Sequence, residues 1–312
     1  MNADDLRLHI LGCGSATPSL RHMPSCQVLE TRGKLFMIDC GEGAQLQMMR
    51  KRLKFGRLNN IFISHLHGDH FLGLPGFIST MALHEKGAAL TVHTFAEGAE
   101  LIQSMMQFLV GDTPFDLRFN IIDPGARSQL LYEDSGLTVS SFPLFHRVPA
   151  VGFLFREKPK GRHIDGAAVR FHGVPHYFME QLRGGADFVK PDGTVVANDR
   201  LTTPASPSAS YAYCTDTAAD PRVVASIRGV DTVFHDATYG DDGAPNAARY
   251  GHSTARQAAE IARRAGARTL VLGHFSKRYK SETELADQAA EAFSGTIITA
   301  DELMTLNLTR NE

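Results

Sequence analysis

Cysteine is scarce. The chain of 312 residues holds four, at Cys13, Cys26, Cys40 and Cys214, with no close pair among them. That scatter offers no Cys-based zinc motif, and buried free thiols in a reducing compartment are expected. No apolar run approaches the roughly 18 residues of a membrane span, so no membrane association is expected. Met1 to Asp5 is acidic and lacks an apolar core, so no export leader is read there. A net charge of −2 carries no global nucleic-acid signature. An anionic partner must be held by local charge or by a metal. Short repeats and extended linkers are missing too, and nothing calls for a nucleotide cofactor. What remains is an ordinary globular balance, 43% apolar and 21% charged, in a chain long enough for a large core.

The densest chemistry lies in Ile61-Phe62-Ile63-Ser64-His65-Leu66-His67-Gly68-Asp69-His70, followed by Phe71-Leu72-Gly73-Leu74-Pro75-Gly76. The apolar start reads as a buried strand that stops at Ser64. His65, His67 and Asp69 alternate, so an extended backbone points them to one side. His70 breaks the alternation and faces a second direction, which suits two adjacent metals better than one. Gly68 is expected to allow a tight turn. Imidazole and carboxylate suit zinc and its neighbours.

Elsewhere strands alternate with helices, and polar residues gather where strands end. That pattern is an α/β layered architecture with its site at strand ends. One helix is read over Leu74–His84. Two others carry apolar stripes expected to face the core: Leu46, Met49 and Leu53 in Ala44–Leu53, and Leu101, Met105 and Phe108 in Glu97–Leu109. Ser253 or Thr254 would cap a helix over Ala255–Ala265. Residues 156–210 depart from this rhythm, being rich in glycine and proline. Between Arg156 and Lys190 seven Lys/Arg stand against four Asp/Glu. The stretch reads as a projecting insertion, partly helical at Tyr177–Leu182.

Ligand-type residues that follow apolar strands are His65, His67, Asp69, His70, His146, Asp216 and His274. Five imidazoles and two carboxylates fill two metal sites if one carboxylate bridges. The natural division sets His65, His67 and His146 on one metal and Asp69, His70 and His274 on the other, with Asp216 between. Metals about 3.5–4 Å apart share a water, bring its pKa towards neutrality and clamp both oxygens of a displacement at phosphorus. Asp69 would also stand where it can take the water's proton.

His65-x-His67-x-Asp69-His70 with the later His146, Asp216 and His274 resembles the metallo-β-lactamase superfamily. Thr215-Asp216-Thr217, His252-Ser253-Thr254 and His274-Phe275-Ser276-Lys277-Arg278-Tyr279 narrow that resemblance to the ribonuclease Z family, over nearly the whole chain. The resemblance implies a four-layer αββα sandwich, residues 1–312 as one metallo-hydrolase domain, and two zinc ions per subunit. It also implies a cytoplasmic homodimer that cuts precursor tRNA, removing the 3′ trailer and leaving a 3′-hydroxyl on the tRNA. Matched residue by residue, it makes Asp69 the proton acceptor and His252 the proton donor. Asp236 stands where the family has Glu, one methylene longer, and its shorter reach leaves a direct contact with His252 open. The insertion at 156–200 matches the family's flexible RNA-binding arm. There Lys158, Lys160, Arg162, Arg170, Arg183 and Lys190 would contact phosphates, and Arg278 would join them from the last motif. The arm's usual Gly-Pro pair is replaced by Gly173-Val174-Pro175-His176. Many relatives carry Pro-x-Lys-x-Arg-Asn in the first loop, associated with rejecting tRNAs that end in CCA. This chain has Pro18-Ser19-Leu20-Arg21-His22-Met23, so cleavage before or after CCA stays open. The rival is another dinuclear hydrolase of the superfamily acting on a small phosphodiester or other ester, which would have no use for a basic arm.

Overall fold

The structure, a computed structural model, describes residues 6–83 and 89–309. Met1 to Asp5, read above for an export leader, and His84, the expected end of a helix, lie outside them. In chain order the first part runs β1 (Arg7–Gly12), β2 (Cys26–Thr31), β3 (Lys34–Ile38), α1 (Ala44–Arg50), β4 (Leu58–Phe62), α2 (Gly68–Phe71), α3 (Gly73–Leu83), β5 (Leu90–Thr94), α4 (Ala96–Leu109) and β6 (Leu117–Ile121). Next come β7 (Gln129–Glu133), β8 (Leu137–Pro143) and β9 (Val151–Glu157). The inserted stretch holds β10 (His163–Ile164), α5 (Gly166–His172), α6 (Met179–Arg183), β11 (Phe188–Val189), β12 (Val195–Val196) and β13 (Thr202–Thr203). The last part runs β14 (Ser210–Cys214), α7 (Pro221–Ser226), β15 (Thr232–Asp236), α8 (Ala244–Tyr250), α9 (Ala255–Ala265), β16 (Thr269–Gly273), α10 (Thr283–Ala290), β17 (Thr296–Thr299) and β18 (Thr305–Asn307).

Two seven-stranded sheets form, ordered β18-β1-β2-β3-β4-β5-β6 and β17-β16-β15-β14-β9-β8-β7. Many strands are buried on both faces, so they read as continuous apolar runs rather than alternating ones. Alternation then decides which layer each side chain enters. In β3 and β4, Phe36, Ile38 and Phe62 point to the space between the sheets, while Met37 and Ile61 point to the outer helices. Phe62 meets Phe153 and Phe155 of the second sheet, with ring centroids 5.5 and 5.6 Å apart. Outside the first sheet lie Met48 of α1, Phe77 and Met81 of α3, and Ile102 and Met106 of α4. Outside the second sheet lie Val223 and Val224 of α7 and Ile261 of α9. Helix, sheet, sheet, helix: the four-layer α/β sandwich is the observed fold.

The stripes read on α1 and α4 meet the core only in part: Leu53 and Met105 are partly buried and pack against it. Ala44, Gln47 and Met48 are the buried residues of α1, and Gly98, Ala99, Ile102 and Met106 those of α4. Leu46, Met49, Leu101 and Phe108 are exposed, Phe108 by 89%. Both helices are apolar around much of their circumference, so two sets at helical spacing competed and the sheet took the other. Gly98 explains part of that choice. A Cβ there would lie 2.7 Å from the Leu66 side chain, so glycine lets α4 come close to the ligand loop.

The inserted stretch, Glu157–Ser208, forms a compact unit of its own. Val169, Val174, Leu182, Phe188, Val196 and Leu201 make its core, and Phe178 packs edge-on against Phe188 at 5.2 Å. Asp165 caps α5 by accepting from the amides of Ala167 and Ala168. The chain leaves and re-enters the second sheet at paired positions, since Arg156 of β9 lies opposite Ser210 of β14. No helix among the described residues is long and apolar enough to cross a membrane.

Candidate metal centre

Every donor sits just past the end of a strand. His65 to His70 follow β4 and run directly into α2, whose N-cap is His67. Gly68 therefore sits in a helix rather than supplying a left-handed turn. The left-handed non-glycine residues near the site are Ala16, Asp39 and His274, at φ 63°, 56° and 60°. Non-glycine residues tolerate that conformation where the surroundings hold them to it. Glycine matters one loop earlier. A Cβ on Gly41 would lie 2.4 Å from the Asp69 carbonyl, and one on Gly73 would lie 2.1 Å from the Gly41 carbonyl. The two loops thus touch backbone to backbone, with the Cys40 amide donating to the His70 carbonyl at 2.8 Å. His146 follows β8, Asp216 follows β14 and His274 follows β16. Phe275 fixes the last of these, since its amide donates to the Cys13 carbonyl and its carbonyl accepts from Ser15.

All seven predicted donors converge, in the predicted division. His65, His67, His146 and Asp216 form one group whose donor atoms lie within 4.8 Å of one another, and Asp69, His70 and His274 form a second. Asp216 faces both. Its Oδ1 lies 3.1 Å from His70 Nε2 and 3.0 Å from His274 Nε2. Its Oδ2 lies 3.6 Å from His65 Nε2 and 3.8 Å from His146 Nε2. Asp69 Oδ2 is 3.5 Å from both His70 and His274 Nε2.

The network behind the imidazoles assigns their tautomers. Nδ1 of His70 donates to Asp39 at 2.7 Å, and Nδ1 of His146 donates to the Gly251 carbonyl at 2.8 Å. Nδ1 of His274 donates to the Thr238 hydroxyl at 2.8 Å, which donates onward to Asp236 at 2.6 Å. Nδ1 of His65 faces the Ser64 hydroxyl at 3.1 Å, which donates to Asp39 at 2.8 Å. Four Nε2 lone pairs are left pointing inward. His70 Nε2 and His274 Nε2 are only 3.3 Å apart, and His65 Nε2 is 3.0 Å from His67 Nδ1. Ligands of a tetrahedral zinc at 2.0–2.1 Å stand about 3.3 Å apart, so this crowding is the spacing a cation requires. Burial holds His65 well below its ordinary pKa and also lowers His67 and His146, which keeps them neutral and able to ligate. His70 moves the other way: burial opposes its charge, but Asp216 and Asp39 override it. Its surroundings demand a positive charge at Nε2, which a proton or a divalent cation satisfies. Burial would raise Asp69, yet His274 and His70 hold it well below the usual carboxylate range.

His252 and Asp236 meet directly. His252 Nδ1 lies 2.8 Å from Asp236 Oδ2, so the shorter side chain reaches without help. Asp236 is wholly buried and also accepts from the amides of Thr217 and Thr238. Burial works against the His252 charge, but Asp236 pushes its pKa up to about 9. The Thr254 side chain caps α9 in a capping box with Gln257, settling which neighbour of His252 holds that helix. His67, Asp69, His146, Asp216, His252 and His274 line one cleft of about 180 Å³, together with Arg147 and Tyr239. The Arg278 guanidinium lies 5.9 Å from the Tyr239 ring. Within the arm, Lys160 pairs with Glu157 at 2.8 Å, and Arg162 bonds Thr202 at 2.7 Å and pairs with Asp199. Arg170 and Arg183 are exposed; Lys158 and Lys190 are half-buried.

Three residues escaped the sequence reading. Asp39 is fully buried and takes bonds from His70, from the amide and hydroxyl of Ser64, and from the Tyr213 hydroxyl at 2.8 Å. Thr238 carries His274. Arg147 lines the cleft. Their signals were a carboxylate at the end of an apolar strand, a hydroxyl three residues past His235, and a cation next to His146.

A family model described as "Beta-lactamase superfamily domain" matches residues 200–275, and one described as "Anti-Pycsar protein Apyc1" matches residues 6–113. Ribonuclease Z of Parabacteroides distasonis is 47% identical over 294 residues, covering 94% of this chain and 96% of that protein. Ribonuclease Z of Bacteroides fragilis is 46% identical over 300 residues, covering 96% and 98%. The crystal structure of human tRNase Z, short form, superposes with a TM-score of 0.69 at 26% identity, covering 97% of this chain and 100% of that one. Identity of this order over almost full length settles the family: the chain belongs to ribonuclease Z, a metal-binding endoribonuclease branch of the metallo-β-lactamase superfamily.

Proposed function

We propose that this protein is a zinc-dependent nuclease that removes the 3′ trailer from precursor tRNA, leaving a 3′-hydroxyl on the tRNA. The carrying observation is the division of Asp216, one oxygen toward each donor group. Two zinc ions held by the seven donors would supply Lewis acidity to a phosphodiester and lower the pKa of water. The remaining work falls to side chains. Asp69, kept ionised, borders the cleft and receives the Ala16 amide at 2.6 Å, so one of its oxygens is fixed and it can accept a proton there. His252 is protonated at neutral pH, and Asp236 holds its Nδ1, which leaves Nε2 to hand a proton to the departing 3′ oxygen. Arg147 and Arg278 offer positive charge to the RNA at the cleft.

The arm supplies the grip on tRNA, with Arg170, Arg183, Lys158 and Lys190 as phosphate contacts. Lys160 and Arg162 hold the arm's own structure through Glu157 and Asp199. A homodimer is supported by the exposed apolar side chains of Leu46, Met49, Leu101 and Phe108 on α1 and α4. Cytoplasmic residence is supported by four buried, unpaired cysteines.

The test is cleavage of precursor tRNAs, with and without encoded CCA, by zinc-loaded protein, with mapping of product ends. Deleting residues 158–190 is expected to collapse tRNA cleavage while hydrolysis of a small chromogenic phosphodiester persists. Undiminished tRNA cleavage by that variant would remove the arm from the proposal. Phe108→Glu is expected to shift the protein from dimer to monomer in light scattering, and an unchanged mass would rule out α4 as the interface.

A further inference from the structure

Beside the metal cleft lies a second cavity of about 400 Å³, walled by Leu66, Phe95, Ile121, Ile122, Val148 and Pro149. It shares His67 with the cleft. Its wall is continuous with the donor loops: Leu66 stands between two ligands, and Val148 follows His146 by two residues. Phe95 and Ile122 are buried, whereas Ile121 is 44% exposed, so the chamber has an apolar floor and an accessible lip. Among the described residues only His67 and Glu97 bring ionisable groups to it, and no lysine or arginine does. An apolar chamber with a carboxylate at its rim repels phosphate. It suits a flat, uncharged group bearing N–H donors, and its size falls within the roughly 300–1,000 Å³ of small-ligand sites. A nucleobase fits that description.

We propose that this chamber seats the base of the first trailer nucleotide, immediately downstream of the scissile phosphate. The proposal rests on the tRNA-trailer reading above. The ring contacts of His252 and His67 relate the chamber to the proton donor. His252 touches Tyr239, His146 and His274, whereas His67 touches His65 and His146. The proton donor and the chamber's histidine are therefore linked through His146, which each of them touches. An RNA strand that turns its departing 3′ oxygen towards His252 carries its downstream nucleotide towards His67 and the apolar walls. Phe95, Ile121 and Leu66 take the base face, and Glu97 accepts from its amino or imino N–H.

The experiment compares kcat/KM of the zinc-loaded full chain on two precursor tRNAs, identical except that the first trailer nucleotide is normal or abasic. Removing the base is expected to lower kcat/KM about tenfold, the range that base stacking supplies. Ile121→Trp, which fills the chamber, is expected to show a similar loss on the normal RNA and no further loss on the abasic one. Equal rates on the two RNAs for wild type, or losses that multiply in the variant, overturn the chamber assignment and leave the trailer reading intact. A melting curve checks that Ile121→Trp folds. If it does not, Glu97→Gln decides, because it is expected to narrow the spread of rates among the four trailer bases and an unchanged spread overturns the assignment. Wild type that hydrolyses a chromogenic diester but cuts neither RNA overturns the trailer reading itself, and the chamber's role with it.

Discussion

His65 and His146 of one donor group meet one oxygen of Asp216, and His70 and His274 of the other group meet the second oxygen, yet the two groups are backed differently. In the first, His146 leans on a backbone carbonyl, and His65 reaches the Asp39 carboxylate only through the Ser64 hydroxyl. In the second, His70 leans on the Asp39 carboxylate, and His274 reaches the Asp236 carboxylate through Thr238. Asp69 adds a further carboxylate as a donor. Each group has a half-buried donor, His67 in the first and Asp69 in the second. More negative charge among and behind the donors holds a divalent cation harder. On the proposed two-metal reading, the second group would hold its metal more firmly than the first.

The largest blow to this contrast is Asp216→Ala, which removes the shared carboxylate. Activity on precursor tRNA is expected to vanish and metal analysis to show both equivalents weakened. One equivalent bound at full strength would show that Asp216 serves a single group. His252→Ala comes next, with kcat expected to fall by roughly 10²–10⁴-fold while both metals stay bound. Retained full activity would remove His252 from the chemistry, and lost metal would make it a ligand. Asp39→Asn is the finest probe. It should weaken the second group's metal by about 10–100-fold in chelator competition, because His70 meets Asp39 directly, and weaken the first by less, because His65 meets it only through Ser64. Equal weakening of both would erase the proposed difference in backing.

Much of this centre could be read before any coordinates. The His65–His70 cluster is dense enough to betray itself, and the later donors each follow an apolar strand. Asp39 was invisible for a definite reason. β3 pairs in parallel with β4, setting Ile38 beside Phe62, so the residues just past both strand ends share one space. That proximity belongs to strand register, which no local pattern in the chain declares. The stripes on α1 and α4 failed in part, for another reason. Leu101 and Phe108 are as apolar as Ile102 and Met106, so only the contact between α4 and the sheet could choose between them. The arm's α5 was hidden by short length, weak amphipathicity and glycine-rich surroundings.

The donors come from both sheets: His65 to His70 from the end of β4 in one, and His146, Asp216 and His274 from the ends of β8, β14 and β16 in the other. An unfolded chain keeps only the first cluster together. On the proposed two-metal reading, a cation pair bound across the seam would rivet one sheet to the other and favour the native state by mass action, by about 2.7 kcal/mol for each site at a hundredfold excess over its Kd. Thermal stability should then climb with the logarithm of free zinc, and the proposed centre would serve as a fastener of the sandwich as well.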